Sequence, residues 1–164
     1  MQQLSGGIAI LRVGAATESE LIERYDRVDD ALNATRAALQ EGILPGGGIA
    51  LAKAGKILST MLKKEKDSNI CAGINIVARA CKEPFNQIVL NSGKSPETIL
   101  AKALDSAKNT GYDSRKDIMG NMYELGIVDP KKVVRCAIEN ASSAASMLLS
   151  VGASMIEISK TETS

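Results

Sequence analysis

Apolar residues recur along most of this chain at alternating spacings of four and three, the period of a helix with one buried face. The longest such run carries Leu21, Tyr25, Val28, Leu32, Thr35 and Leu39. It predicts a single buried stripe over about six turns. Thr17, with Glu20 three residues later, makes a capping box for its start. Gly42 stands where a left-handed C′ residue would end it, with Ile43 and Leu44 able to fold back on the last turn. Asp26, Asp29, Asp30 and Asn33 lie mostly off the stripe. Ahead of this helix, residues 8–13 (IAILRV) are short, branched and apolar and read as a strand. Gly6 and Gly7 before them mark a turn or flexible joint.

Pro45 leads into Gly46, Gly47 and Gly48, and a second helix is predicted from there to about Leu62. Its apolar positions include Leu51, Ile57, Leu58, Met61 and Leu62. Residues 63–69 (KKEKDSN) read as a solvated loop, and a third helix carries Ile70, Ile74, Val77 and Cys81. Glu83 and Pro84 interrupt it and begin a short fourth helix through Phe85, Ile88 and Val89, which Gly93 ends. Ser95 followed by Pro96 is an N-cap with proline at the first helical position, so a fifth helix covers residues 96–104. Over residues 106–126 the period is lost, and Asn109, Gly111, Asp113, Ser114 and Gly120 mark an irregular stretch. Asp129 and Pro130 repeat the cap-plus-proline start for a last helix to about Val151. On it, Ala141, Ala144, Ala145 and Leu148 form a face that a neighbouring helix could approach closely. After Gly152, residues 154–158 (SMIEI) read as a short strand needing a partner, one that another subunit could supply. The tail at 159–164 reads as disordered.

Composition sharpens this picture. Hydrophobic residues make up 45% of the 164 and charged ones 24%, as in a soluble globule. Aromatic content is 2%, from Tyr25, Phe85, Tyr112 and Tyr123, so the core must be aliphatic and rich in alanine. Small side chains favour close helix packing, and the fold class that follows is mainly α. Net charge is +1 and interspersed, with no basic stripe and few stacking aromatics, which argues against a nucleic-acid partner. No apolar run approaches the ~20 residues of a membrane span, and the N-terminus lacks the basic and apolar regions of a signal peptide. Its early strand-like run is expected of a piece of a longer protein. The chain has no histidine, which removes histidine triads and histidine metal sites. Cys71, Cys81 and Cys136 lack zinc-site spacing and read as small core residues in a reducing compartment.

Four features could carry chemistry. Asp30, beside Asp29, is either a solvated carboxylate, which spacing alone favours, or a group facing a cleft to orient water or hold Mg²⁺. The glycine triplet is either a loose connector or a close backbone approach to a phosphate. It is not a Walker A motif, since no Lys-Ser or Lys-Thr follows. Asp129 is either a plain N-cap or an acceptor for ribose hydroxyls. The loop at 111–115 either walls a pocket or is surface.

Longer motifs go further. LSGGIAILRVGAATESE at 4–20, RVDDALNATRAALQEGILPGGGIAL at 27–51, EPFNQIVLNSG at 83–93, Gly111-Tyr112, and GIVDPKKVVRCAI at 126–138 together resemble the group I chaperonins, the GroEL type. They follow the family order and span essentially the whole chain. The resemblance implies a multihelical equatorial-domain fragment with a short N-terminal strand and a short C-terminal strand. Residues 1–41 would be the C-terminal part of an intermediate domain, and 42–164 the C-terminal part of the equatorial domain that binds ATP and forms the ring. Gly6, Gly7 and Gly42 match the family's hinges. Asp30 matches the aspartate that positions the attacking water and, indirectly, completes the Mg²⁺–phosphate site. Gly47 matches the nucleotide-contacting glycine, while Asp113, Ser114 and Arg115 match the adenine loop. Ile127 matches the wall under the base, Asp129 the ribose contact, and Glu41 with Arg135 a charged pair near the lower hinge. The SMIEI run matches the strand that joins a small sheet with the neighbouring subunit. Ser114, Arg115 and Lys116 depart from the pattern, being bulkier and more basic than the family's small residues.

The implied activity is that of an ATP-dependent, Mg²⁺-requiring chaperone that promotes protein folding in a double ring of like subunits. Its home would be a bacterial cytoplasm or an organelle matrix of bacterial ancestry. Unfolded substrates and a lid co-chaperonin would bind an apical domain outside the matched part. The family's phosphate loop and Asp-Gly-Thr-Thr segment also lie outside it. The 164 residues alone are therefore expected to hold one wall of the ATP site, to hydrolyse no ATP at a family-like rate, and to self-associate through exposed faces. Asp30 and Gly47 are expected to stand apart until the Gly42 hinge closes. The alternatives are a helical oligomerisation module that has lost the ATPase, and a stand-alone phosphate-binding protein built on the glycine triplet.

Overall fold

The computed structural model describes residues 9–153 and 155. The first helix, α1 (Glu18–Glu41), is capped as its sequence predicts: Thr17 Oγ1 accepts from the Glu20 amide at 3.3 Å. The Glu20 carboxylate reaches back to the Ala16 amide at 3.3 Å, one residue outside the usual box. Gly42 ends the helix with φ +86°, and its amide donates to the Ala38 carbonyl at 2.8 Å. The chain does not then fold back on the last turn. Instead β1 (Ile43–Pro45) pairs antiparallel with β4 (Val128–Pro130), placing Leu44 opposite Asp129.

The stripe on α1 is not buried: no residue of the helix is, and Leu39 is 83% exposed. A helix of this length runs about 36 Å, and the elements that pack on it, β4 and α6, meet it near its C-terminal end. Residues 9–13 form no strand. Leu11 and Val13 instead join Leu21, Ile22 and Tyr25 around an apolar groove of about 420 Å³.

The core lies further along the chain. Ile49 and Ala52 of α2 (Ile49–Met61) meet Phe85 and Val89 of α4 (Glu83–Asn91), Ala103 of α5 (Pro96–Asp105), Tyr112 and Met122. Helix α3 (Ser68–Ala80) crosses α2 at Gly55, where an added Cβ would lie 2.8 Å from the Ala78 carbonyl oxygen. This is the close approach that the alanine-rich composition favours. Of the four residues in the predicted α3 stripe, Cys81 alone is buried; Ile70 and Val77 are exposed. The three cysteines are free, and burial pushes the Cys81 thiol up, away from the reactive thiolate.

The irregular stretch contains a hairpin that the lost period conceals. Strands β2 (Thr110–Asp113) and β3 (Ile118–Asn121) pair antiparallel, with Tyr112 opposite Met119. Buried Asp113 closes the turn: its Oδ1 accepts from the Arg115 amide at 2.9 Å and the Lys116 amide at 3.1 Å. Helix α6 (Lys131–Leu149) starts one residue later than predicted, with Pro130 at its N-cap. Asp129 therefore caps nothing; its pairing in β4 draws it out of the cap position.

The first turns of α6 hold the end of α1. The Lys131 amide donates to the Gly42 carbonyl at 3.0 Å, and Lys132 Nζ to Gln40 Oε1 at 2.6 Å. Arg135 grips both carboxylate oxygens of Glu41, at 3.1 and 2.6 Å, and also binds Glu139 at 2.8 Å. Residues 141–150 are all exposed, including the alanine face proposed for close packing. Gly6, Gly7, the tail, and the 154–158 strand apart from Met155 fall outside the described residues.

The Arg135 hydrogen bonds hold the Glu41 carboxyl below the usual glutamate range. A lowered folded value stabilises above the unfolded value, about 4.3 for glutamate, and that contribution is lost as pH falls. Exchange of the Gly42 amide should therefore quicken as pH drops through that range, after correction for intrinsic exchange. Glu41→Gln should show fast exchange already at neutral pH and a flatter acid limb.

Candidate nucleotide site

The glycine triplet lies where four elements converge. The Gly46 amide donates to the Ile127 carbonyl at 3.0 Å, and a Cβ at Gly46 would sit 3.1 Å from the backbone of Ile127 and Val128. Gly47 has φ +68°. Its missing Cβ would lie 3.1 Å from Met122 Cε, 3.7 Å from the Tyr112 carbonyl oxygen and 4.0 Å from Ile127 Cγ2. Gly48, at φ +74°, rests on the backbone of Pro84 and Phe85. It is the N-cap of α2 and offers no side-chain bond to the first-turn amides. Those amides keep the affinity for anions that an uncapped helix start has.

Gly47, the Tyr112–Asp113 end of β2, Ile127 and Asp129 are thus brought to one junction. Among the described residues no side chain or amide donates to the Asp129 carboxylate, and burial pushes its carboxyl above the usual aspartate range. A half-buried acceptor without a donor suits a pair of ligand hydroxyls. Asp113 is differently placed, since Oδ1 is already committed to the loop amides. Ser114 and Arg115 line a shallow groove of about 330 Å³ with Ile88, Asn91 and Ser92, the last turn of α4 and its cap.

Asp30 does not join this junction. It is exposed on α1, about three turns and roughly 16 Å along the axis from Glu41. Among the described residues no three histidine, cysteine or acidic side chains cluster as a metal cage. A Mg²⁺ ion here would need phosphate oxygens as its principal ligands.

Several supports carry no signal in the sequence. Met122 lies fully buried under Gly47 and Gly111, in a stretch without periodicity. Lys53 Nζ donates to the carbonyls of Ala107, Lys108 and Thr110, the latter two at 3.0 Å, and so holds the start of β2. Burial, then repulsion from Lys56, lowers its pKa. Tyr112 Oη donates to Asp117 Oδ1 at 2.9 Å, and Asp117 also pairs with Lys94. Lys53, Lys94 and Gly47 are far in sequence from the groups they meet, and Tyr112 meets Asp117 across a turn that no periodicity marks, so no spacing rule finds these contacts.

The sequence matches the model of the TCP-1/cpn60 chaperonin family over residues 1–158. The fold matches a solved structure described as a group III chaperonin in the open state, with a TM-score of 0.77 and 27% sequence identity. That alignment covers 87% of this chain and 30% of the other, so the chain spans under a third of the length of the relative it matches.

Proposed function

This chain belongs to the TCP-1/cpn60 chaperonin family, and from that premise we propose that it forms part of the ATP-binding, ring-forming subunit of a protein-folding chaperone. The observation that carries the reading is the junction itself: Gly47 bare against Tyr112 and Ile127, with the undonated Asp129 carboxylate on the adjoining strand. Asp129 accepts from the ribose hydroxyls, Ile127 packs under the base, and Gly47 allows close approach of the nucleotide. Ser114, Arg115 and Asp113 border the base. Residues from 42 onward act as the equatorial part, and residues to 41 as an intermediate arm. Gly42, with a φ that disfavours any side chain, is the hinge between them. Asp30 sits on that arm and, once it swings in, accepts a hydrogen bond from the attacking water. Bound ATP with Mg²⁺ supplies the phosphoryl group whose cleavage drives the change of shape. The motifs at 27–51 and 126–138 support a group I assignment, with unfolded proteins and a lid protein as partners in a bacterial cytoplasm or an organelle matrix of that ancestry.

Titration calorimetry with ATP and Mg²⁺ on the whole protein tests this. Binding is expected, and Asp129→Ala should weaken it roughly tenfold, the value of a lost charged hydrogen bond. No ATP binding by the whole protein would overturn the reading. Phosphate release by the 164 residues alone, abolished in Asp30→Ala, would overturn the claim that they form one wall only. The exposed apolar faces of α1 and α6 favour a second reading, a helical association module without ATPase activity. It predicts self-association unaffected by ATP and by Asp30→Ala.

A further inference from the structure

The groove beside the base loop has two walls. One is the last turn of α4 and its cap, giving Ile88, Asn91 and Ser92; the other is the hairpin turn, giving Ser114 and Arg115. Lys94 lies just beyond Ser92, and Asp117 just beyond Arg115. Their ion pair therefore joins the two segments that continue these walls. Asp117 uses both carboxylate oxygens, Oδ2 for Lys94 and Oδ1 for the Tyr112 hydroxyl at 2.9 Å. Tyr112 is 5% exposed, belongs to the core, and has its carbonyl oxygen next to Gly47. One carboxylate thus ties the groove wall, the hairpin and the strand that faces the glycine triplet. Asp117 holds a left-handed backbone, φ +59°, which aspartate tolerates better than most residues.

We propose that Lys94, Asp117 and the Tyr112 hydroxyl are positioning residues that set the width of the base groove, and so the affinity and base selectivity for the nucleotide. The inference rests on the nucleotide reading above and deepens it. An exposed ion pair adds little to global stability; here its bond fixes a distance between two walls. The turn is already closed from within by Asp113, which binds the Arg115 and Lys116 amides. The hairpin therefore stays formed without the clamp, and its seat against α4 changes.

The test measures ATP and GTP affinity and steady-state hydrolysis in the whole protein, for wild type, four single variants and one double variant. Tyr112→Phe keeps the core ring and loses the hydroxyl. Asp117→Ala loses both bonds, Asp117→Asn keeps an acceptor for Tyr112, and Lys94→Met removes the cation. Asp117→Ala and Tyr112→Phe should each raise the KM for ATP about five- to tenfold with kcat within twofold, and should narrow the ATP-over-GTP preference. Their double variant should be no worse than the weaker single one, and Asp117→Asn, which keeps the Tyr112 bond but not the ion pair, should recover part of the loss. Lys94→Met should give an intermediate rise in KM. KM and the ATP/GTP ratio unchanged in Tyr112→Phe and Lys94→Met would overturn the proposal, as would an effect on kcat alone. Absence of ATP binding in the wild-type arm would overturn the nucleotide reading as well, which separates the two failures. Tyr112→Phe retains its buried ring, so it keeps the test decisive even if Asp117→Ala unfolds.

Discussion

Replacing Asp30 with alanine should slow ATP hydrolysis by the whole protein by roughly 10²–10⁴-fold, the usual contribution of a positioned general base. At about 1.4 kcal/mol per tenfold, this is roughly 3–5 kcal/mol of barrier. ATP affinity should change less than threefold, because Asp30 stands well away from the junction that holds Gly47, Ile127 and Asp129. The split follows from geometry. Asp30 is exposed on a helix that meets the rest of the molecule near its far end, about 16 Å along the axis from Glu41. It can reach a nucleotide at the junction only if α1 turns about Gly42, a movement that the Glu41–Arg135 grip and the Lys131–Gly42 bond must yield to. Gly42→Ala should therefore slow hydrolysis as well, through its disfavoured φ of +86° and not through any clash, since a Cβ there meets nothing within 4 Å. Asp30→Asn should be nearly as slow as Asp30→Ala, because an amide keeps the shape but cannot take the proton. Single-turnover phosphate release, with affinity measured on the same samples, checks this. An unchanged rate in Asp30→Ala would place the water-orienting group elsewhere and remove the reason for the hinge.

The helical frame was legible in the sequence because its signals are local. Thr17 and Glu20, Gly42, the proline at 84 and Gly93 each act within one turn, and the helices begin and end close to where these residues predict. Burial was less legible. The α1 stripe has the spacing of a buried face, yet spacing states only which residues share a side, not whether anything covers it. Asp129 shows a competition between signals: its pair with Pro130 reads as a helix start, but antiparallel pairing with Leu44 takes precedence and moves the cap to Pro130. The hairpin at 110–121 was lost for a different reason. Each strand has four residues and one contains two adjacent small or turn-forming positions, too few for period two to register. The resemblance proposed for Gly47, Ile127 and Asp129 corresponds to residues that do lie together. The clamp of Lys94, Asp117 and Tyr112 left no trace, since it depends on a hairpin the pattern did not reveal.

The largest stability effect is expected at Gly48, where two costs coincide. Its φ of +74° places any other residue in the left-handed region, at roughly 1–2 kcal/mol. A Cβ there would also lie 2.7 Å from the Phe85 amide nitrogen and 3.0 Å from its Cα. These are backbone atoms at the start of α4, whose Phe85 and Val89 are fully buried, so they cannot swing aside as a side-chain tip would. Overpacking of this kind costs roughly 1–3 kcal/mol, and Gly48→Ala should lose about 2–5 kcal/mol in all. That is a large part of the typical 5–15 kcal/mol of a domain. Two comparisons separate the causes. Gly42→Ala carries backbone strain without the clash: its φ of +86° and ψ of −170° suit glycine alone, nothing lies within 4 Å, and the loss should stay at about 1–3 kcal/mol. Gly73→Ala has neither: it is exposed within α3 without a positive φ, and a Cβ there meets nothing. It should gain up to about 1 kcal/mol from helix propensity. Denaturant unfolding of the three variants reads the order directly. A loss at Gly48 no greater than at Gly42 would mean that α4 gives way, and that the glycine triplet is held by its dihedral angles rather than by the packing of α2 against Phe85.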